Sequence, residues 1–154
     1  KHYIMKRIIA AIMLLLPIGV SASIPEFTEL AAKYDSNEQV TTIVIDKNLL
    51  AIAGGAESNA YIDKIDEVEM IMCDNGSLFE EIRKECDAII KRYNAETMIS
   101  VTEEEEQINV YAIKNGEKIS NIILIINGSS SLAAVISGDI ASNEIGNIIQ
   151  VVGA

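Results

Sequence analysis

Four strand-like runs follow one another between Glu96 and Ser137 with only short turn segments between them, and this succession constrains the fold more than any other feature. The runs are Glu96 to Thr102, Gln107 to Lys114, Lys118 to Ile126 and Leu132 to Ser137. Parallel neighbours need a crossover of about a dozen residues or more, so connections this short require antiparallel pairing and predict a β-meander. Asn115-Gly116 signals a two-residue hairpin, because the primed turns that suit strand twist need positive φ at their centre. Asn127-Gly128 opens another turn. Ile122 to Ile126 is apolar at every position, so this strand is expected to be central and covered on both faces, or to meet a partner on one of them.

Helical spacing appears elsewhere. Phe27, Leu30, Ala31 and Tyr34 repeat at three to four residues behind Pro25, which suits a first turn. Phe79, Ile82, Cys86, Ile89, Ile90 and Tyr93 form the apolar stripe of a helix expected from about Leu78 to Tyr93, with Ser77 and Glu80 at capping-box spacing. Glu80–Lys84 and Arg83–Asp87 are expected outward pairs. Val40 to Asp46 reads as a strand, followed by one or two helical turns from Lys47 to Ala53. Ile65 to Cys73 reads as another strand, with Val68, Met70 and Met72 against the core and Glu67 and Glu69 opposite. A last helix from about Ser142 to Gln150 would turn Ile145, Ile148 and Ile149 inward. The predicted class is α+β: an antiparallel β-meander sheet with helices packed mainly on one face, forming a single domain over residues 23–154.

Residues 1–22 read as a cleaved signal peptide. Lys6 and Arg7 form a basic start, Ile8 to Leu16 an apolar centre, and Val20-Ser21-Ala22 small residues before a cut at Ser23. Pro17 and the short apolar run argue against a membrane anchor, so no stable membrane insertion is expected. The location implied is periplasmic or secreted. Cleavage removes His2, the only histidine, together with Lys1, Lys6 and Arg7. Nine basic and 23 acidic residues remain, a net charge of −14 against −11 for the full sequence. Such an excess repels polyanions, so nucleic acid and anionic bilayers are poor candidates as partners, while a basic protein or a cation suits it.

Chemistry is constrained by the same loss. Without imidazole, Ser-His-Asp, Cys-His and His-zinc arrangements are unavailable. Cys86 lies on an apolar stripe, where desolvation disfavours the thiolate, and Cys73 closes a strand just before that helix. The helix would carry Cys86 about 13 Å along its axis from Ser77, whereas bridged cysteines need α-carbons within about 7 Å; two separate thiols are expected. Glu103-Glu104-Glu105-Glu106 lacks the alternating ligands and glycine turn of a calcium loop and reads as a solvated hairpin tip whose like charges discourage edge pairing. Ala53-Gly54-Gly55-Ala56 lacks the lysine of a phosphate loop, and Asp74-Asn75-Gly76 lacks a ligand series. The acid pairs Asp66/Glu69 and Glu81/Glu85 carry no sign of a sugar cleft, the chain having no tryptophan. No catalytic, cofactor-binding or metal-ligating residue is expected, no cofactor is implied, and the chain is not expected to be an enzyme.

Val110-Tyr111-Ala112-Ile113-Lys114-Asn115-Gly116-Glu117-Lys118-Ile119-Ser120-Asn121 and the apolar run to Ile126, followed by Val135-Ile136-Ser137-Gly138-Asp139-Ile140, resemble an uncharacterised family of small exported proteins from Bacteroidetes-type bacteria, a domain of unknown function. The resemblance extends to the strand near Val40 to Asp46, the Leu-rich turn after it and the helix around Glu85-Cys86. It implies an α+β fold, a turn at Gly138 into the last helix and an envelope location, with no catalytic residue to carry over. Some relatives resemble lipoproteins; the segment directly after the apolar run has no cysteine here to take the lipid.

The function expected is that of an exported, non-enzymatic envelope protein engaged in protein–protein interaction or structure, with an envelope protein as partner. A homodimer through the outer sheet face is one version, with Tyr111 and Ile113 read as lying on opposite faces of their strand. The alternative is a carrier of a small apolar ligand between sheet and helices, with Met70 and Met72 lining an adaptable pocket.

Overall fold

Apolar alternation and short turns produce one six-stranded antiparallel sheet in the computed structural model, which describes residues 23–54 and 63–146. The signal-peptide reading and residues Asn147 to Gln150 of the expected last helix lie outside the described residues. In chain order the elements are α1 (Pro25–Tyr34), β1 (Val40–Asp46), α2 (Lys47–Gly54), β2 (Ile65–Cys73), α3 (Gly76–Arg92), β3 (Glu96–Glu103), β4 (Glu106–Asn115), β5 (Lys118–Asn127) and β6 (Ser131–Ala141), followed by a 3₁₀ turn over Ser142–Glu144. The strand order is β1-β2-β6-β5-β4-β3. The β3 to β6 segment is the expected meander, and β2 adds to its far side with β1 outside it.

β5 is covered on both faces because its two alternating sets enter different clusters. Ile123 and Ile125 join Phe27, Leu30, Phe79, Ile82, Cys86 and Ile89 beneath α1 and α3. Ile122 and Leu124 join Val110, Ala112, Ala134 and Ile136 on the other face, where Leu50 of α2 and Ile145 also pack. The major helices therefore share one face, and the second face is equally apolar.

β2 corrects the expected orientation. Ile71 and Cys73 enter the helix-side cluster, with Glu69 buried on the same side, whereas Val68 and Met70 belong to the opposite cluster. Alternation separated the two sets rightly; it could not say which face the helices would cover, because both faces of this sheet are apolar. Tyr111 and Ile113 are also on one face, both against the helix-side core, as residues two apart in a strand must be.

Local chemistry sets the ends of the elements. Asn75, rather than Ser77, caps α3: its Oδ1 accepts from the Leu78 amide at 3.0 Å, so the helix starts at Gly76. Past its other end Asn94 takes φ 51°, and the Ala95 amide donates to the Ile90 carbonyl at 3.0 Å, closing the last turn. The β4–β5 loop is Gly116-Glu117, one residue later than the sequence suggested, and Gly116 alone supplies the positive φ, 67°. β6 runs on through Gly138 to Ala141, so Gly138 is not the turn into the final helix. It lies where the Lys64 carbonyl approaches, accepting from the Asp139 amide at 2.9 Å. Among the described residues no helix is long and apolar enough to cross a membrane.

Candidate binding site

Two regions depart from regular packing. The first is the end of the sheet where β2, β4, β5 and β6 shift register: the shifts fall at Ile65/Glu67, Ile113/Lys114 and Ile119/Asn121. These bulges open a cleft of about 450 Å³ against the start of α1, lined in part by Asp66, Tyr93, Lys118, Ser120, Asn121 and Asp139. Its polar groups are tied to one another. Asn121 is buried and donates from Nδ2 to Ser137 Oγ at 2.9 Å, while Ser120 Oγ donates to Asn121 Oδ1 at 2.9 Å. Lys118 pairs with Asp139 at 3.0 Å. Such mutual satisfaction stabilises the bulged end of the sheet, because a buried amide without partners is costly.

The second region is β3. It is the last strand of the sheet, paired only with β4, and all eight of its residues are exposed. Met98 is the extra residue of a bulge between Thr97 and Ile99. Met98, Ile99 and Val101 are exposed by 37, 38 and 39%. At the opposite edge α1 and α2 both contact β1, whose Val40 is buried while Val44 is exposed. An edge strand presents unpaired amides and carbonyls, and proteins usually blunt it with lysine, proline or a covering element. From Thr97 to Thr102 β3 has no charge and no proline.

The carboxylates lie at the ends of this edge. Glu96 pairs with Lys114 at 2.9 Å. At the other end Glu103 is opposite Glu106 across the hairpin, and Glu104, with φ 43°, and Glu105 form the loop. All four glutamates of this tip are exposed, and none takes part in an ion pair among the described residues. The expected solvated hairpin tip is therefore present. Beside it, Ser100 donates to Asn109 Oδ1 at 2.9 Å, and Asn109 is buried one strand in from the edge.

The other candidate positions serve structure. Asp74-Asn75-Gly76 is the cap of α3. Glu85 pairs with Lys33 of α1 at 2.9 Å, which raises the Lys33 pKa through the hydrogen bond and the charge of Glu85. Arg83 donates to Gln107 rather than pairing with Asp87, and Glu80–Lys84 does not form either. Asp66 is exposed at its bulge, whereas Glu69 is 3% exposed and accepts from Thr28 Oγ1 at 2.7 Å. Glu67 is held above the usual glutamate range by burial and by the charges of Glu69 and Asp46. Cys73 and Cys86 are separate buried thiols, and burial, then Asp87 and Glu85, push the Cys86 thiol up to about 12. Met70 packs in the second cluster, and neither it nor Met72 lines the cleft at the bulged end. Of the Ala53-Gly54-Gly55-Ala56 reading, Gly55 and Ala56 lie outside the described residues.

The strand order, the helix containing Glu85-Cys86 and the β4–β5 hairpin now stand together as one unit, and residues 34–148 match a family defined over that unit. The chain belongs to DUF4252, a domain of unknown function. No curated protein and no solved structure matches it. Membership in DUF4252 agrees with the resemblance to a domain of unknown function and assigns no site residue.

Proposed function

We propose that this DUF4252 protein is a non-enzymatic binding protein of the cell envelope, exported through residues 1–22, which takes up an extended segment of another protein alongside β3. The observation that supports this reading is the exposure of β3 along its whole length, with Met98, Ile99 and Val101 on an uncovered and uncharged stretch. Strand addition uses main-chain hydrogen bonds for affinity and alternate side chains for selectivity, and β3 offers both. The acidic surface is consistent with a protein partner and opposes a polyanion.

The test is crosslinking in the native host from two positions. A photoreactive residue replaces Thr102 in β3 in one strain and the exposed Lys84 of α3 in another. The reading expects one reproducible envelope protein captured from position 102 and not from 84. Equal capture from both positions, or none from 102 under conditions that trap a known envelope complex, rejects it.

A further inference from the structure

The charges around β3 say what kind of segment fits there, an inference that rests on the strand-addition reading above. We infer that β3 accepts an extended segment with lysine or arginine at the end lying against the Glu103–Glu106 tip, and that it discriminates against a second copy of this chain.

The argument begins with register. Along β3, Ile99 and Val101 pair with Val110 and Ile108 on the second, apolar face, while Ser100 pairs with Asn109 on the helix side. A strand added outside β3 continues this alternation, because neighbouring strands keep their side chains in register across the sheet. Apolar residues of the segment then meet Ile99 and Val101, and small polar residues meet Ser100 and Thr102. Cross-strand pairs of opposite charge stabilise such an arrangement, and like charges directly opposite destabilise it.

The two ends of β3 are electrostatically unequal. Glu96 is already neutralised by Lys114, whereas Glu103 to Glu106 have no cation in contact among the described residues. Four uncompensated carboxylates therefore mark one end only, and a basic residue arriving there gains attraction that an acidic one loses.

Self-pairing meets the same charges unfavourably. Full antiparallel pairing of two copies sets each tip against the Glu96–Lys114 pair of the other, which brings it no unpaired cation, and parallel pairing brings the two tips together. Each exported copy, without residues 1–22, also carries a net charge of −14. The tip thus blunts the edge against its own kind and leaves it open to a basic segment.

Three fluorescent peptides of eight residues test this, each alternating Val and Thr over six positions. One has two lysines at its N-terminus, one has them at its C-terminus, and one has two glutamates in place of the lysines. Anisotropy titrations use the purified protein and the Glu103→Gln, Glu104→Gln, Glu105→Gln, Glu106→Gln variant, with amide exchange of β3 followed throughout. One lysine peptide should bind about tenfold more tightly than the glutamate peptide, and the gap should collapse in the four-glutamine variant. Which lysine peptide wins gives the direction of the added strand. Equal binding of all three with slowed exchange at β3 overturns the charge selection and leaves strand addition standing. No binding, or slowed exchange elsewhere, overturns both. Sedimentation showing a dimer that the peptides dissociate identifies a second copy as the occupant and overturns the inference.

Discussion

Tyr93, at the end of α3, donates its hydroxyl to Glu26 Oε2 in the first turn of α1 at 2.5 Å. This bond fixes the two helices to each other at the bulged end of the sheet, and Arg92 stands 3.6 Å from the same carboxylate. Burial works against the charge on Glu26. The Tyr93 hydroxyl, the backbone amide of Glu26 and Arg92 together outweigh it and hold the carboxyl below 4.5. Burial, then the bond to Glu26 and its charge, push the Tyr93 phenol up to about 12.

The pair should consequently stabilise the fold over a bounded pH range. Glu26 binds its proton less tightly when folded, so its contribution is complete above about pH 5 and is lost as pH falls through the lowered value. Tyr93 holds its proton more tightly when folded, so its contribution is complete below pH 10.0 and is lost as pH rises towards about 12. Tyr93→Phe should cost about 1–2 kcal/mol at neutral pH and weaken both slopes. Urea denaturation of the two proteins across pH checks this; parallel curves would place the stabilisation elsewhere.

Glu69 presents the opposite case, a carboxylate only half satisfied. Its Oε1 accepts from Thr28, while its buried Oε2 has no partner among the described residues. Glu69→Gln keeps an oxygen for Thr28 and removes the charge but places an amide group where Oε2 has no partner, so the two effects should offset and stability should stay within about 1 kcal/mol at neutral pH. Thr28→Val removes the donor and should cost about 1–3 kcal/mol. Chemical denaturation of both variants decides. A Glu69→Gln variant destabilised by much more than this would mean that the negative charge is itself compensated.

The sequence was read correctly where a residue's neighbours in the chain determine its state. The α1 stripe of Phe27, Leu30, Ala31 and Tyr34 is buried as spaced, and the glutamate tip is the hairpin end that its charge implied. It was misread where two local solutions compete. Asn75 and Ser77 are both good caps, and the choice of Asn75 is visible only in the bond to Leu78. Glu69 alternates with apolar residues like a solvent-facing position, yet α1 covers it and Thr28 satisfies one oxygen. The exposure of β3 was equally illegible, because the order of strands is a long-range property. Only the pairing of β2 with β6, rather than with β3, leaves β3 as an edge. Asn121 did leave a trace, as an amide at the start of an otherwise apolar run, but its partner Ser137 comes from another strand.

Gly138 is required by backbone proximity rather than by φ. A Cβ at this position would fall onto the Lys64 carbonyl and within 3.1 Å of Ile65 Cα, both main-chain groups held in place by the β2–β6 pairing. Gly138→Ala should therefore destabilise the protein by about 3 kcal/mol or more through displaced backbone. Gly76, at the start of α3, has nothing within 4 Å of such a Cβ, and Gly76→Ala should leave stability unchanged within about 0.5 kcal/mol. Thermal denaturation of the two alanine variants separates them. Similar midpoints would show that β2 can withdraw from β6 at no cost.

The two thiols make a contrast within one cluster. Cys86 is buried among apolar side chains of α3, and its thiol, pushed up to about 12, is almost wholly protonated at neutral pH. Cys73 is buried too, but its Sγ already donates to the Asn75 carbonyl at 3.4 Å. A hydroxyl at position 73 inherits that acceptor, whereas one at 86 enters an apolar site. Cys86→Ser should cost about 1–3 kcal/mol and Cys73→Ser distinctly less. Because both sulfurs are enclosed and Cys86 lacks thiolate character, modification by an aromatic disulfide reagent should be slow in the folded protein and should accelerate with urea as the fold opens. Labelling rates for each single-cysteine variant, set beside its unfolding curve, test the assignment. Rapid labelling of Cys86 under native conditions would require α3 to leave the sheet locally, and the rate would then measure how often it does so.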